Sequence, residues 1–239
     1  MKTTTSCSRF FDMLNSGSIN KGGVIVKKRG LIFDMDGVIL DSEIRYFEVH
    51  QQMFKRLSIP LDPVQYATFM GKTGDEMWEE LVAQHQLKET ASALLEEEHR
   101  LFQIHAKPEE CGLKKGVTQV IEQAANLGYD IGIASSSSLQ KIERVIRHYG
   151  LPITHYVSGE EVIRSKPDPA IFRLAAERIG HAPENCLVIE DAANGMIGAK
   201  AAGMEVIALL DDRMPTQRLE QADHVAQSHA EIEEILRKR

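Results

Sequence analysis

Residues 30–43 read GLIFDMDGVILDSE. A short apolar run, Leu31-Ile32-Phe33, stops at Asp34, and Asp36 follows after a single intervening methionine. The run is too short for a helix and has the character of a strand. Residues two apart on an extended chain point to the same side, so Asp34 and Asp36 can face one site, and Gly37 permits a sharp turn directly after them. Two like charges about 4 Å apart repel by roughly 4 kcal/mol at an effective dielectric near 20. A buried strand ending in such a pair therefore calls for a cation. Taken alone, the same residues fit a turn or helix-cap pair equally well, since Asp often precedes Gly there.

Upstream, residues 1–23 are rich in Ser, Thr, Gly and Asn and read as an extension outside the core. Two short apolar runs, "VIV" and "LIF", bounded by Gly and Lys, lie within residues 24–35. Downstream the periodicity changes. Tyr46, Phe47, His50, Met53, Phe54 and Leu57 recur at helical spacing, as do Met77, Trp78, Leu81, Val82 and His85, so residues 43–107 are expected to be an all-helical insert. Asp62-Pro63 and the capping box from Thr73 to Glu76 mark helix starts within it.

After Pro108, strand and helix patterns alternate: a helix over 116–127, strand "YDIGIA" (129–134), a helix to Gly150, strand "HYV" (155–157) and a helix from Asp168-Pro169 to Gly180. Strand "CLVIE" (186–190), a helix to Gly203, strand "EVIAL" (205–209) and an amphipathic C-terminal helix complete the chain. Repeated strand-helix-strand units imply a parallel sheet covered on both faces. The expected fold is α/β: a Rossmann-like parallel-sheet core over 24–42 and 108–239, with the helical insert as a cap.

Ligands of such sheets bind beyond the carboxyl ends of the strands. Those ends carry Asp34 and Asp36, then Ser135, Ser136 and Ser137, then Lys166 in "RSKPDP", then Glu190-Asp191. Clustered carboxylates suit a hard divalent ion such as Mg²⁺, and a lysine beside a helix start suits an anion. Metal, lysine and helix N-terminus together make a phosphate pocket. Each piece has a plainer reading: the serines as a loop with an N-cap, Lys166 as a solvated surface residue, Glu190-Asp191 as a helix cap.

The ordered set "DMDGV", Ser135, "SKPDPAIF" and "VIEDAANG" resembles the four motifs of the haloacid dehalogenase (HAD) superfamily, over about residues 30–210. With the helical insert it is most similar to the β-phosphoglucomutase and sugar-phosphate phosphatase branch. The resemblance implies that Asp34 attacks phosphorus and becomes an aspartyl-phosphate, and that Asp36 acts as general acid and base. It implies that Ser135 and Lys166 hold phosphoryl oxygens, and that Mg²⁺ is held by Asp34, the backbone carbonyl of Asp36 and Asp191, with Glu190 either ligating the ion or orienting from behind. Ser136 and Ser137 are candidate substrate contacts, with Tyr46 and Lys72 reaching in from the insert.

The implied activity is Mg²⁺-dependent hydrolysis of a small phosphorylated metabolite, a sugar or polyol phosphate. A phosphomutase is the alternative. Tyr46 and Gly74 stand where mutases of this branch carry His and Arg, which removes two groups that would hold a bisphosphate. A phospho-signalling receiver domain also combines acids, hydroxyl and lysine, but it has no helical insert after its first strand. Dehalogenation needs neither Asp36 nor a metal cluster.

Bulk properties agree with such an enzyme. The chain is 43% hydrophobic and 26% charged, as for an ordinary globular protein. Its net charge of −7 gives no footprint for nucleic acid. Cys7, Cys111 and Cys186 are widely spaced without a CxxC, which points to a reducing compartment. The chain carries no apolar stretch of membrane-spanning length and no signal-peptide pattern, so a cytoplasmic monomer or weak homodimer is expected.

Overall fold

The computed structural model describes residues 17–19, 25–27, 29–60, 66, 68–69, 74–105, 107–211, 213 and 220–239. Lys72, Thr73, Asp62 and Pro63 lie outside the described residues.

The two apolar runs between 24 and 35 belong to different sheets. Strands β1 (Gly17–Ile19) and β2 (Ile25–Lys27) pair antiparallel as a separate ribbon. Strand β3 (Arg29–Phe33) begins the main sheet, whose other members are β4 (Tyr129–Ser135), β5 (His155–Ser158), β6 (Cys186–Glu190), β7 (Glu205–Leu209) and β8 (His224–Ala226). Their spatial order is β5-β4-β3-β6-β7-β8, and every pairing is parallel. The chain winds outward from β3 to β5, then returns to its other side at β6. The order thus reverses between β3 and β6, the switch point beside which α/β sheets open a crevice. Strand β8 carries no apolar run long enough to be read in the sequence.

Both faces of β3 are covered, as the unbroken Leu31-Ile32-Phe33 run requires. Leu31 and Phe33 pack with α5 (Val117–Asn126), α6 (Leu139–Tyr149) and α9 (His229–Arg237), through Val120, Ile121, Ile142, Val145, Ile232 and Leu236. Ile32 packs on the opposite face with α7 (Ala170–Arg178) and α8 (Ala193–Ala201), through Ile171, Phe172, Met196 and Ala199.

Between β3 and β4 the chain forms α1 (Glu43–Leu57), α2 (Gly74–His85), α3 (Ala91–His105) and the short α4 (Pro108–Cys111). Val49, Met53, Phe54, Met77, Trp78, Leu81 and Leu94 make a separate apolar cluster there, which reaches the sheet domain at Ala192. The two connections to the sheet run side by side: Asp41 N–H donates to the Gly112 carbonyl at 3.0 Å, and Lys114 N–H to that of Ile39 at 2.9 Å. No described helix is long and apolar enough to cross a membrane.

Candidate active site

Asp34 follows the last residue of the central strand, and its N–H still donates to Ile189 on β6 at 2.9 Å. That bond sets it beside the end of β6, where Glu190 and Asp191 leave the sheet. One carboxylate oxygen from each of Asp34, Glu190 and Asp191 lies within 4.8 Å of the others, and all three residues are buried. Lys166 enters from the loop after β5 and is 2% exposed. Its ammonium donates to Asp34 Oδ1 at 2.5 Å and to Glu190 Oε1 at 2.6 Å. The other Glu190 oxygen accepts the backbone N–H groups of Asp191 (2.9 Å) and Ala192 (3.0 Å).

Two glycines leave room for these acids. A Cβ on Gly195 in α8 would stand 1.7 Å from Glu190 Oε1, and one on Gly37 would stand 2.0 Å from Asp191 Oδ2. Gly37 also has φ +79°, a backbone state that side-chain-bearing residues rarely adopt.

The cluster concentrates negative charge in a buried place. Burial pushes the Asp34 carboxyl up to about 7, against the charge of Lys166, with Glu190 adding to the rise. Burial also raises Asp191 well above the ordinary range, helped by Glu43, Glu190 and Asp34. Lys166 is held protonated by Asp34 and Glu190 despite its burial. A single ammonium does not balance three acids, and a hard cation would.

Asp36 points into a different cage. Its Oδ1 accepts from Ser42 Oγ (2.7 Å), Tyr46 Oη (3.0 Å) and Lys141 Nζ (2.8 Å), and its Oδ2 from Ser137 Oγ (2.7 Å) and Lys141 Nζ (2.8 Å). Burial would raise this carboxyl, but the charge of Lys141 and the hydrogen bonds from Lys141, Ser137 and Ser42 outweigh it and hold the group below its ordinary value. Burial, then Asp36 and Glu43, keep the Tyr46 hydroxyl protonated.

Ser135 is buried, and its Oγ accepts the Ser137 N–H at 3.1 Å. Ser136 Oγ is buried with no protein partner. Ser138 is the N-cap of α6, accepting the Lys141 N–H at 3.3 Å. The structure thus brings Asp34, Asp36, Ser135, Ser136, Ser137, Tyr46, Lys166, Glu190 and Asp191 to one cavity of about 1100 Å³. Lys72 lies outside the described residues. The sequence reading missed Lys141, whose place in an amphipathic helix looks like that of any solvated lysine, and Glu43, which burial and the charges of Asp36 and Asp34 raise to about 8.

A parallel sheet with an acid-ended central strand, a buried bridging lysine and a helical insert over the site defines a class of phosphate-handling hydrolases. Residues 31–209 match the family described as haloacid dehalogenase-like hydrolase. The YhcW protein of Bacillus subtilis (strain 168) is 32% identical over 208 residues, spanning 86% of this chain and 94% of YhcW. The phosphorylated carbohydrates phosphatase of Thermotoga maritima is 31% identical over 186 residues, spanning 74% of this chain and 82% of its own. Among solved structures, CbbY from Rhodobacter sphaeroides in complex with phosphate superposes with a TM-score of 0.67 at 25% identity, covering 86% of this chain and 96% of CbbY. The chain belongs to the haloacid dehalogenase-like hydrolases and is a phosphatase-type enzyme.

Proposed function

We propose that the protein is a Mg²⁺-dependent phosphatase that hydrolyses a small sugar or polyol phosphate through an aspartyl-phosphate on Asp34. The observation that carries this reading is the Lys166 bridge between Asp34 and Glu190, set against Asp191 at the mouth of the central strand. The name of the Thermotoga maritima relative supports the substrate class.

The donor set fits Mg²⁺: three buried carboxylates, two of them pushed toward protonation by burial and by the charge of neighbouring acids. Asp34, Glu190 and Asp191 would hold the ion, with the Asp36 backbone carbonyl. Bound there, it neutralises carboxylate and phosphoryl charge.

Asp34 attacks phosphorus as the leaving oxygen departs, which splits one difficult displacement into two easier ones. Lys166 opposes the protonation of Asp34 that burial favours and aligns its carboxylate, and with Ser135, Ser136 and Ser137 it receives the phosphoryl oxygens. Asp36 gives a proton to the leaving oxygen and then takes one from the water that frees phosphate. Its ionised state in the cage of Lys141 suits the second of these steps. The helical insert covers the cavity as a cap and selects the leaving group. The free thiols of Cys111 and Cys186 accord with action in the cytoplasm.

The test is phosphate release from a panel of sugar, polyol and nucleotide monophosphates. Asp34→Asn should abolish turnover, and Asp36→Asn should cost about 10² to 10⁴ in rate. EDTA should silence the enzyme and Mg²⁺ restore it. Full activity in Asp34→Asn would reject the nucleophile; undiminished hydrolysis of an aryl phosphate in metal-free buffer would reject the metal.

A further inference from the structure

The cavity has a second polar wall, contributed by the helical insert and remote in sequence from every motif at the strand ends. His50 on α1 is 8% exposed, Tyr66 4%, and Glu98 on α3 5%. His50 Nδ1 lies 2.8 Å from Tyr66 Oη, and its Nε2 lies 3.1 Å from Glu98 Oε1. The fully buried Trp78 donates its indole N–H to the other Glu98 oxygen. His50, Tyr66 and Glu98 all line the cavity that holds Asp34 and Lys166, and Trp78 backs them from inside the cap core.

The direction of these bonds follows from the donors available. The Glu98 carboxylate can only accept, so it takes the Nε2–H of His50 and the N–H of Trp78. With that hydrogen on Nε2, Nδ1 is the acceptor and the Tyr66 hydroxyl donates to it. Each donor in the chain is thereby consumed internally. What remains toward the cavity is acceptor capacity, on Tyr66 Oη and the Glu98 oxygens, so the wall matches a ligand that brings its own hydrogen-bond donors.

Charge points the same way. Asp75 and Glu98 line the cavity from the insert, and Glu43 adds a further acid between them and the strand ends, where it meets the charges of Asp36 and Asp34. Among the described residues, the Lys and Arg side chains lining it away from the strand ends are Lys107 and Arg144. Lys107 is paired with Glu110 at 3.1 Å and Arg144 with Glu109. A second phosphate or a carboxylate on the substrate would meet acids and lone pairs there.

We propose that Tyr66, His50 and Glu98 form a subsite for the hydroxyl groups of the leaving portion, so that the enzyme selects neutral polyhydroxylated monophosphates and rejects esters carrying a second anionic group. The proposal rests on the phosphatase reading above and narrows it. Tyr66 and Glu98 are specificity-determining contacts, and His50, held between them, is a positioning residue.

The full chain should be assayed with Mg²⁺ against sorbitol 6-phosphate, phosphoglycolate, fructose 1,6-bisphosphate, phosphocholine and phenyl phosphate. Sorbitol 6-phosphate should exceed the two anionic esters and phosphocholine at least about tenfold in kcat/KM. Tyr66→Phe and Glu98→Gln should each lower the ratio of sorbitol 6-phosphate to phenyl phosphate about tenfold, the loss of roughly one hydrogen bond to a buried partner. Thermal melts should accompany both variants; if one fails to fold, the ratio in the other decides. Phenyl phosphate hydrolysis with a preference for phosphoglycolate, the bisphosphate or phosphocholine would overturn the subsite alone, as would an unchanged ratio in the folded variants. Failure to release phosphate from any ester would overturn the phosphatase reading itself.

Discussion

The ammonium of Lys141 stands 2.8 Å from both carboxylate oxygens of Asp36, across 105 residues of sequence. It also contacts Ser137 Oγ at 3.0 Å and the Tyr46 hydroxyl, so one side chain ties the strand end, the serine loop and the first cap helix together. Its position follows from local geometry: Ser138 caps α6, and Lys141 lies in the first turn, on the side that faces the site.

This contact predicts the behaviour of Lys141→Met. Without the ammonium, burial dominates at Asp36 and its carboxyl rises. The acidic limb of the rate of aspartyl-phosphate hydrolysis, followed in single turnover, should move to higher pH, because Asp36 must be ionised to take the proton of the attacking water. The rate at neutral pH should fall about tenfold to hundredfold, as befits a lost charge-assisted hydrogen bond. Lys141→Arg should recover part of both effects. A Lys141→Met profile that superposes on the wild type would leave the lysine a structural strut.

Asp34, Lys166, Glu190 and Asp191 were legible in the sequence because each lies at or beyond a strand end, and strand ends of a parallel sheet converge whatever the intervening chain does. The strands "CLVIE" and "EVIAL" are observed over the residues that spell them. Lys141 was not legible, since its partners come from α1, the turn after β3 and its own loop at once. His50 and Trp78 read as apolar-face positions of cap helices, which they are. Their shared partner Glu98 lies 48 and 20 residues away, and no periodicity encodes that meeting. Residues Ile25–Lys27 satisfied the pattern of a core strand yet pair in a separate ribbon, because β propensity does not choose a partner.

Gly195 offers a test of how the cluster is supported. It sits within α8, where alanine would ordinarily favour the helix by about 1 kcal/mol. Here its Cβ would stand 1.7 Å from Glu190 Oε1 and 2.0 Å from Cδ, so Gly195→Ala must displace the carboxylate that holds Lys166. Activity should fall at least about tenfold, and stability by about 1 to 3 kcal/mol, as in other overpacked sites. Urea denaturation and phosphate release measure the two losses. A gain in stability with retained activity would show that Glu190 can move without consequence.

His229 sets a different dependence, one of stability on acid. It follows the Ser228 N-cap of α9, is 2% exposed, and its Nε2 is buried without a partner. Burial, then the charge of Lys114, lower its pKa from 6.5 to about 4, against a hydrogen bond to the Val38 backbone. In the unfolded chain the imidazole takes up a proton near pH 6.5, whereas in the folded chain it does so only near 4. Between those values the unfolded state binds more protons, so this residue destabilises the fold as pH falls, by roughly 3 kcal/mol once the window is crossed. Asp34 and Glu43, raised to about 7 and about 8, act in the opposite sense, since they take up protons more readily when folded. The wild-type curve alone therefore mixes both signs. The informative quantity is the difference in urea stability between wild type and His229→Asn, whose amide can still donate to the Val38 carbonyl. The variant should lose ground at pH 7 through a small cavity and recover it progressively from pH 6.5 to 4.5. Parallel curves over that range would mean that His229 takes its proton in the fold as readily as out of it.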